Sequence, residues 1–431
     1  MAYNLSTRDM FIDNILLLNI VDTIRIDTDN LIIGNGELIK NGSIVFEGNQ
    51  IIYSGEIENA PNVKILDNVN TIMPGMWDCH GHYVGMNDLN FQNMIYTSDL
   101  VRAIRTSYDA QDTIMAGFTS VREVGGYGLY LKTAINEGTI TGPRIYSAGS
   151  ALSMTGGHGD IHSLPLEVMH NLMGNDHFWL HLVDGVENCL QGVRKQLRKG
   201  AEVIKIMVSG GVLSEIDHPI HQQFNFQEVK AIVDEAHRAD LAVAAHCHGA
   251  PGFKNALDAG VDTIEHGTYL NNELADQMIE QDTILVPTRT IIEESMKMIE
   301  SPSIPDYSKE KMKMTSKIHI NALKLAIKKG VKIACGTDIA GSRLSLFNKW
   351  GSNAVELEHY VSAGMKPMDA IVTATGNAPK TLGGRAPQSG LLLKNYETDI
   401  LLMNKNPIDD ISILQDSSNF KRIIKSGKFI K

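Results

Sequence analysis

Short apolar runs separated by glycine, asparagine and aspartate fill residues 11–71. The run Ile12–Asn19 predicts a strand. Gly42–Gly48 and Gln50–Gly55 predict a hairpin turning on Gly48-Asn49, and Val63–Asp67 predicts a further strand. The same texture returns at the C-terminal end in Thr398–Met403 and Lys421–Phe429. Between these ends the pattern changes. Strand-like apolar runs recur at 72–78, 118–123, 144–148, 202–207, 241–246, 262–265, 283–287 and 331–336, with helical stretches in the gaps. In Phe226–His237 the apolar residues recur at three- and four-residue intervals, the period of a helix with one buried face. Eight strands, each followed by a helical crossover, is the count for an α/β fold of the (β/α)8 barrel type. The alternative is a doubly wound open sheet, but no Gly-x-Gly-x-x-Gly marks the first turn. The expected organisation is a barrel over 72–379 and a small β-sandwich built from 1–71 and 380–431.

Composition narrows the function. The chain has 431 residues and 43% hydrophobic content, ample for a large core. Its 39 Lys and Arg against 50 Asp and Glu give a net charge of −11. That balance argues against nucleic acid or an anionic membrane as a partner. The four cysteines (79, 189, 247 and 335) form no Cys-x-x-Cys pair and read as small apolar fillers. The apolar stretch Phe11–Val21 is broken by Asp13, Asn14 and Asn19 and lacks a basic leader or small-residue cleavage site. No run reaches the ~18 apolar residues that span a bilayer. A soluble, cytoplasmic protein is expected.

In a barrel the chemistry gathers at the C-terminal ends of the strands. The first expected strand ends in His80-Gly81-His82, and residues i and i+2 of a strand point to one side. The fifth ends in His246-Cys247-His248, the sixth in His266 and the eighth in Asp338. These are metal-ligand types at one end of several strands. Lys205 lies inside the apolar run Val203–Met207 and has two readings. One is an ion pair with a buried acid such as Glu123. The other is a neutral amine that has captured carbon dioxide, giving a carbamate able to bridge two metals. Asp338 has a second reading as a turn or helix-cap residue.

The set Pro74–His82, Gly117–Gly126, Met154–Asp160, Lys205–Ser214, Ala245–Gly249, Ile264–Thr268 and Gly336–Asp338 resembles the metal-dependent amidohydrolase superfamily, binuclear branch. More narrowly it resembles the imidazolonepropionase-like group that includes Xaa-Pro and Xaa-Arg/Lys dipeptidases. The resemblance implies one divalent ion on His80, His82 and Asp338 and a second on His246 and His266, bridged by carboxylated Lys205 and a hydroxide. Zinc is the default metal. Asp338 is implied as the catalytic proton carrier. His158 and His248 are implied to hold a substrate carboxylate; His248 stands where relatives often have tyrosine. Arg289 stands where relatives often carry an apolar residue. It either meets a carboxylate or acidic side chain of the substrate or makes a structural salt bridge. Glu123 replaces the more usual aspartate. The implied activity is hydrolysis of dipeptides or N-acyl amino acids with a free carboxylate, by a homo-oligomer acting on a small molecule. A cyclic amidohydrolase or deaminase of the same fold is the alternative. The remaining histidines, among them His162, His218, His221 and His319, read as surface or loop residues, with a second reading for His218 and His221 as site-lining residues of the loop after the fourth strand.

Overall fold

The computed structural model describes residues 23–87, 95–175, 177–301, 304 and 306–431. The expected strand at Ile12–Asn19 lies outside these residues. The chain opens with strands β1 (Thr23–Ile32), β2 (Leu38–Glu47), β3 (Gln50–Glu56) and β4 (Ile65–Pro74). The middle contributes β5 (Met76–Met86), β6 (Phe118–Glu123), β7 (Arg144–Ser147), β8 (Ala151–Ser153), β9 (Leu180–Leu182), β10 (Val203–Met207), β11 (Ala242–Cys247), β12 (Thr263–His266), β13 (Ile284–Val286) and β14 (Ile339–Gly341). The chain closes with β15 (Ile400–Met403), β16 (Phe420–Lys425) and β17 (Lys428–Phe429).

Both ends of the chain meet in one seven-stranded sheet of order β17-β16-β15-β4-β1-β2-β3. The expected hairpin is β2 and β3, paired antiparallel with Glu47 opposite Gln50. Alternate residues of these strands, including Ile26, Ile44, Phe46, Ile72, Leu402 and Ile424, pack into one apolar cluster. Residues 72–74, expected to open the first central strand, belong instead to β4. The chain crosses from one sheet to the next at Pro74-Gly75. A Cβ on Gly75 would lie 2.2 Å from Thr119 Oγ1, so only glycine fits this close passage.

The middle strands form two sheets, β14-β5-β6-β7 and β13-β12-β11-β10-β8-β9, with every pairing parallel. Helices follow the strands, as parallel connections require. The helix at Phe226–His237 has the bounds read from its periodicity and opens with a capping box between Asn225 and Glu228. Parallel strands buried on both faces explain the continuous apolar runs, such as Val203–Met207, that marked them in the sequence. Backbone bonds join the two sheets at both margins. Glu202 N–H donates to Ser147 O (2.9 Å). On the other side Leu285 N–H donates to Lys332 O (2.9 Å) and Cys79 N–H to Cys335 O (2.7 Å). Residues 331–336 thus lie between β13 and β5, but pair only through the bridge Leu285–Ile333 and form no ladder of their own. The short strands β8 and β9 were not expected. Among the described residues no helix is long and apolar enough to cross a membrane.

Candidate metal centre and active site

A cavity of about 370 Å³ opens where the C-terminal ends of the parallel strands converge. His80, His82, His158, Lys205, His246, His248, His266 and Asp338 all line it. The ligand atoms of His246, His248 and His266 lie within 4.8 Å of one another, as do those of His80, His266 and Asp338. His82 Nε2 is 3.2 Å from Asp338 Oδ1, and His80 Nε2 is 3.5 Å from the same oxygen.

The other nitrogen of each ring is engaged outside this centre. His80 Nδ1 meets Glu265 Oε2 at 2.6 Å and His82 Nδ1 meets Gly125 O at 2.8 Å. His266 Nδ1 meets Thr288 Oγ1 and His248 Nδ1 meets Thr268 Oγ1, each at 2.7 Å. The carboxylate and carbonyl partners of His80 and His82 only accept, which puts the proton on Nδ1 and leaves Nε2 with its lone pair facing inward; the threonine hydroxyls orient the His248 and His266 rings. His246 is turned the other way, with Nε2 3.4 Å from Gly210 O, which leaves Nδ1 inward. Burial is the main cause that lowers the histidines, His80 to about 4, His248 to about 3, and His246 and His266 well below the usual range. They are neutral imidazoles, the ligating form. Burial pushes the Asp338 carboxyl up, but the basic and polar groups around it, Lys205 among them, outweigh this and bring it below its ordinary value.

Lys205 is 1% exposed, and its Nζ has no hydrogen-bond partner. The ion pair with Glu123 does not form. Glu123 faces Ser147 and the Gly128 N–H instead, and burial raises its carboxyl to about 7. Burial lowers the Lys205 amine to about 8, against the pull of Glu265 and Asp338. A buried amine without a partner is costly, and it stands among the inward nitrogens and Asp338. The donor set therefore fits divalent cations: neutral imidazoles, a carboxylate and an orphaned amine whose carbamate would supply oxygen ligands.

Two ligand candidates and one supporting residue have left-handed backbones: His266 (φ 67°), Asp338 (φ 59°) and Thr288 (φ 54°). Such conformations cost about 1–3 kcal/mol each and collect at functional sites. Asp338 is held there by its own N–H on His80 O (2.7 Å) and by Asn348 Nδ2 on its carbonyl (2.9 Å).

Four residues of the site escaped the sequence reading. Glu265 is wholly buried and takes both oxygens onto Arg122 Nη2 at 2.7 and 2.8 Å, which keeps it well below the usual carboxylate range despite burial. Asp78 accepts from the His80 N–H (3.0 Å) and the Thr337 hydroxyl (2.6 Å), tying the start of the site to its last strand end. His162 lines the cavity. An acid or arginine inside an otherwise apolar strand was the available signal for Glu265 and Arg122. Asp78 and His162 gave none. His319 is 1% exposed, with Nε2 on Pro287 O (2.8 Å), so it is a core residue and not a surface one. His158 Nδ1 donates to Ser214 Oγ (2.9 Å), whose hydroxyl donates to Asp217. Arg289 is not among the cavity's lining residues. Its guanidinium pairs with Glu293 and donates to Ser316 O (2.9 Å), which is the structural salt bridge of its two readings.

The amidohydrolase family pattern matches residues 71–430, and the chain belongs to that family. It is a hydrolase acting on amide bonds. The sequence is 37% identical over 417 residues to ochratoxinase of Aspergillus niger, covering 93% of this chain and 85% of that protein. The crystal structure of A. niger ochratoxinase matches with a TM-score of 0.89 at 36% identity, covering 95% of this chain and 96% of that one. A Xaa-Pro dipeptidase crystallised with methionine in its active site matches with a TM-score of 0.84 at 33% identity, covering 95% of this chain and all of that one (100%).

Proposed function

We propose that the protein is a binuclear metal-dependent amidohydrolase that cleaves dipeptides or N-acyl amino acids bearing a free carboxylate. The observation that carries this reading is the unpartnered, buried Nζ of Lys205 among inward-facing imidazoles and Asp338. One ion is assigned to His80, His82 and Asp338, the other to His246 and His266. Carboxylated Lys205 is the shared ligand, formed as the neutral amine adds to carbon dioxide and releases a proton. His248 lies as close to His246 and His266 as a third ligand would, so its ring is assigned either to the second ion or to the substrate. Zinc suits this donor set.

Two divalent ions, when bound, would lower the pKa of a water and polarise the amide carbonyl. The chain's own residues do the rest. Asp338, ionised and in contact with His80 and His82, takes the proton of the attacking water and passes it to the leaving nitrogen. His158, braced by Ser214 and Asp217, meets the substrate carboxylate through Nε2, which carries a proton when the carboxylate is bound. The left-handed backbones of His266 and Asp338 aim both side chains at the centre, and the hydrogen-bonded rings hold still while charge moves. The relatives named ochratoxinase and Xaa-Pro dipeptidase act on amide bonds, which supports this reaction class.

We also read the two parallel sheets, with residues 331–336 between them, as the wall of a closed (β/α)8 barrel over 72–379. The seven-stranded sheet would belong to a sandwich domain of 1–71 and 380–431. The joining bonds at both margins support closure. The functional test is metal analysis beside assays on a dipeptide and N-acyl amino acid panel. About two zinc ions per chain are expected, with Asp338→Asn losing at least about a hundredfold in kcat while keeping its metal. Full turnover by that variant would remove Asp338 from the proton path.

A further inference from the structure

One helix meets two separate arms of the site. In the helix Asp306–Lys329, Lys311, Thr315 and His319 follow at four-residue intervals and so share a face. All three are buried, and Thr315, in the middle, lines the cavity. The two outer residues lie about 12 Å apart along the axis and hold different loops. At one end the Lys311 ammonium donates to the carbonyls of Gly211 (3.4 Å), Ser214 (2.7 Å) and Asp217, so the loop 211–217 curls round it. That loop braces His158: Ser214 Oγ meets its Nδ1, and Asp217 receives the Ser214 hydroxyl and the Gly211 N–H (2.9 Å). At the other end His319 Nε2 donates to Pro287 O (2.8 Å) and its Nδ1 accepts from Arg289 Nη1 (3.4 Å), roles that the neutral ring with its proton on Nε2 fills together. Arg289 also donates to Ser316 O (2.9 Å) on the same helix. Both neighbours of Thr288 are therefore tied to this helix. Thr288, left-handed at φ 54°, is the residue whose hydroxyl meets His266 Nδ1.

Resting on the reading of His158 as the carboxylate partner and of His266 as a ligand of the second ion, we propose that this helix is a strut that fixes the spacing between the substrate carboxylate and the metal centre, with Lys311 and His319 as its two positioning residues. Neither is among the residues that line the cavity, so each acts through the loop it holds. A buried ammonium needs acceptors, and loop carbonyls turned inward need a donor. Lys311 and the loop 211–217 satisfy each other, and Ser214 and Asp217 are thereby held against His158. The left-handed turn at Thr288 is costly in itself and persists only where its surroundings impose it. Here Pro287 and Arg289 are fastened to one helix, while Glu356 caps the Arg289 and Thr290 N–H groups. One continuous helix carries both anchors, so its rise sets the distance between the arms, while each anchor can be removed alone.

The test sets two readouts on the full-length protein against each other: KM and kcat of the zinc-loaded enzyme on N-naphthoyl-L-phenylalanine, and zinc affinity by chelator competition. Lys311→Met should raise KM about tenfold or more with kcat changed less than about threefold, and leave zinc affinity as it is. His319→Ala should weaken binding of one of the two zinc ions about 10–100-fold and leave KM at saturating zinc as it is. His319→Gln keeps a donor for Pro287 O and should restore most of the affinity. Lys311→Gln keeps an N–H donor and should show a smaller rise in KM; it also stands in for Lys311→Met should that variant fail to fold. A merely structural role would move both readouts together in each variant. That result, or no change in either readout, overturns the proposal. A wild type that binds zinc and turns over the probe while the variants show no crossed pattern sinks the strut alone. A wild type that binds no zinc, or cleaves no N-acyl amino acid, sinks the metal-hydrolase reading beneath it.

Discussion

Replacing Arg122 by methionine should destabilise the protein by about 3–5 kcal/mol, the usual result of removing one partner of a buried ion pair. Arg122 and Glu265 are both 0% exposed. The substitution strips Glu265 of donors at 2.7 and 2.8 Å and removes the 2.6 Å bond from Nε to the Cys79 carbonyl. Two hydrogen bonds to a charged group, at about 1.5–3 kcal/mol each, give about 3–6 kcal/mol, which overlaps that range. The damage should reach the site, because Glu265 orients His80 through the 2.6 Å bond to Nδ1. The assay is denaturant unfolding at pH 7 of wild type, Arg122→Met, Glu265→Gln and the double variant, compared at constant m-value. Glu265→Gln should rescue part of the loss, with a coupling of about 2 kcal/mol or more, since the double variant leaves no buried charge unpaired. A loss below about 1 kcal/mol for Arg122→Met, or an equal loss in the Glu265→Gln background, would refute the reasoning.

Further outcomes follow from other contacts. Gly211→Ala places a Cβ 1.9 Å from His158 Nδ1, so the ring must move; kcat/KM should fall on the order of a hundredfold with zinc content intact, and an unchanged kcat/KM would free His158 of its substrate role. Glu356 caps the helix Arg289–Lys297 through the Arg289 and Thr290 N–H groups, and burial raises it from an ordinary 4.5 to about 7. A raised carboxyl stabilises the fold below its unfolded pKa and loses that contribution as pH climbs to the folded value. Glu356→Gln should therefore gain on wild type by up to about 3 kcal/mol between pH 4.5 and 7, read by unfolding at each pH; a flat difference would contradict the shift. Thr288→Ala removes the partner of His266 Nδ1 and should weaken zinc affinity about 10–100-fold in chelator competition, whereas an unchanged affinity would show that His266 needs no such brace.

Much of the site was legible because strands translate sequence spacing directly into direction. His80 and His82, or His246 and His248, fall on one side of a strand by parity alone. Lys205 stood out because a long apolar run leaves a charged side chain nowhere to go but inward. What stayed hidden depends on contacts between distant segments. Arg122 and Glu123 are neighbours on one strand, and spacing cannot tell which meets a partner 140 residues away; it was Arg122, through Glu265. The left-handed backbones of His266, Thr288 and Asp338 are uncommon for any residue with a side chain, and most of all for β-branched Thr288, so local propensity did not point to them. Residues 331–336 have the apolar content of a strand, yet Thr337 and Asp338 turn onto His80 O and the ladder does not form. Arg289 showed the limit of reading charge as recognition. Glu293, one helical turn away, was the simpler partner.

The state of Lys205 is the most direct test. Protein produced with ¹³C-bicarbonate and zinc should give a carbamate carbon signal by NMR, absent in Lys205→Ala, together with two zinc ions per wild-type chain. A free Lys205 amine in fully active enzyme, or a Lys205→Ala variant that keeps both metals and its activity, would contradict the account.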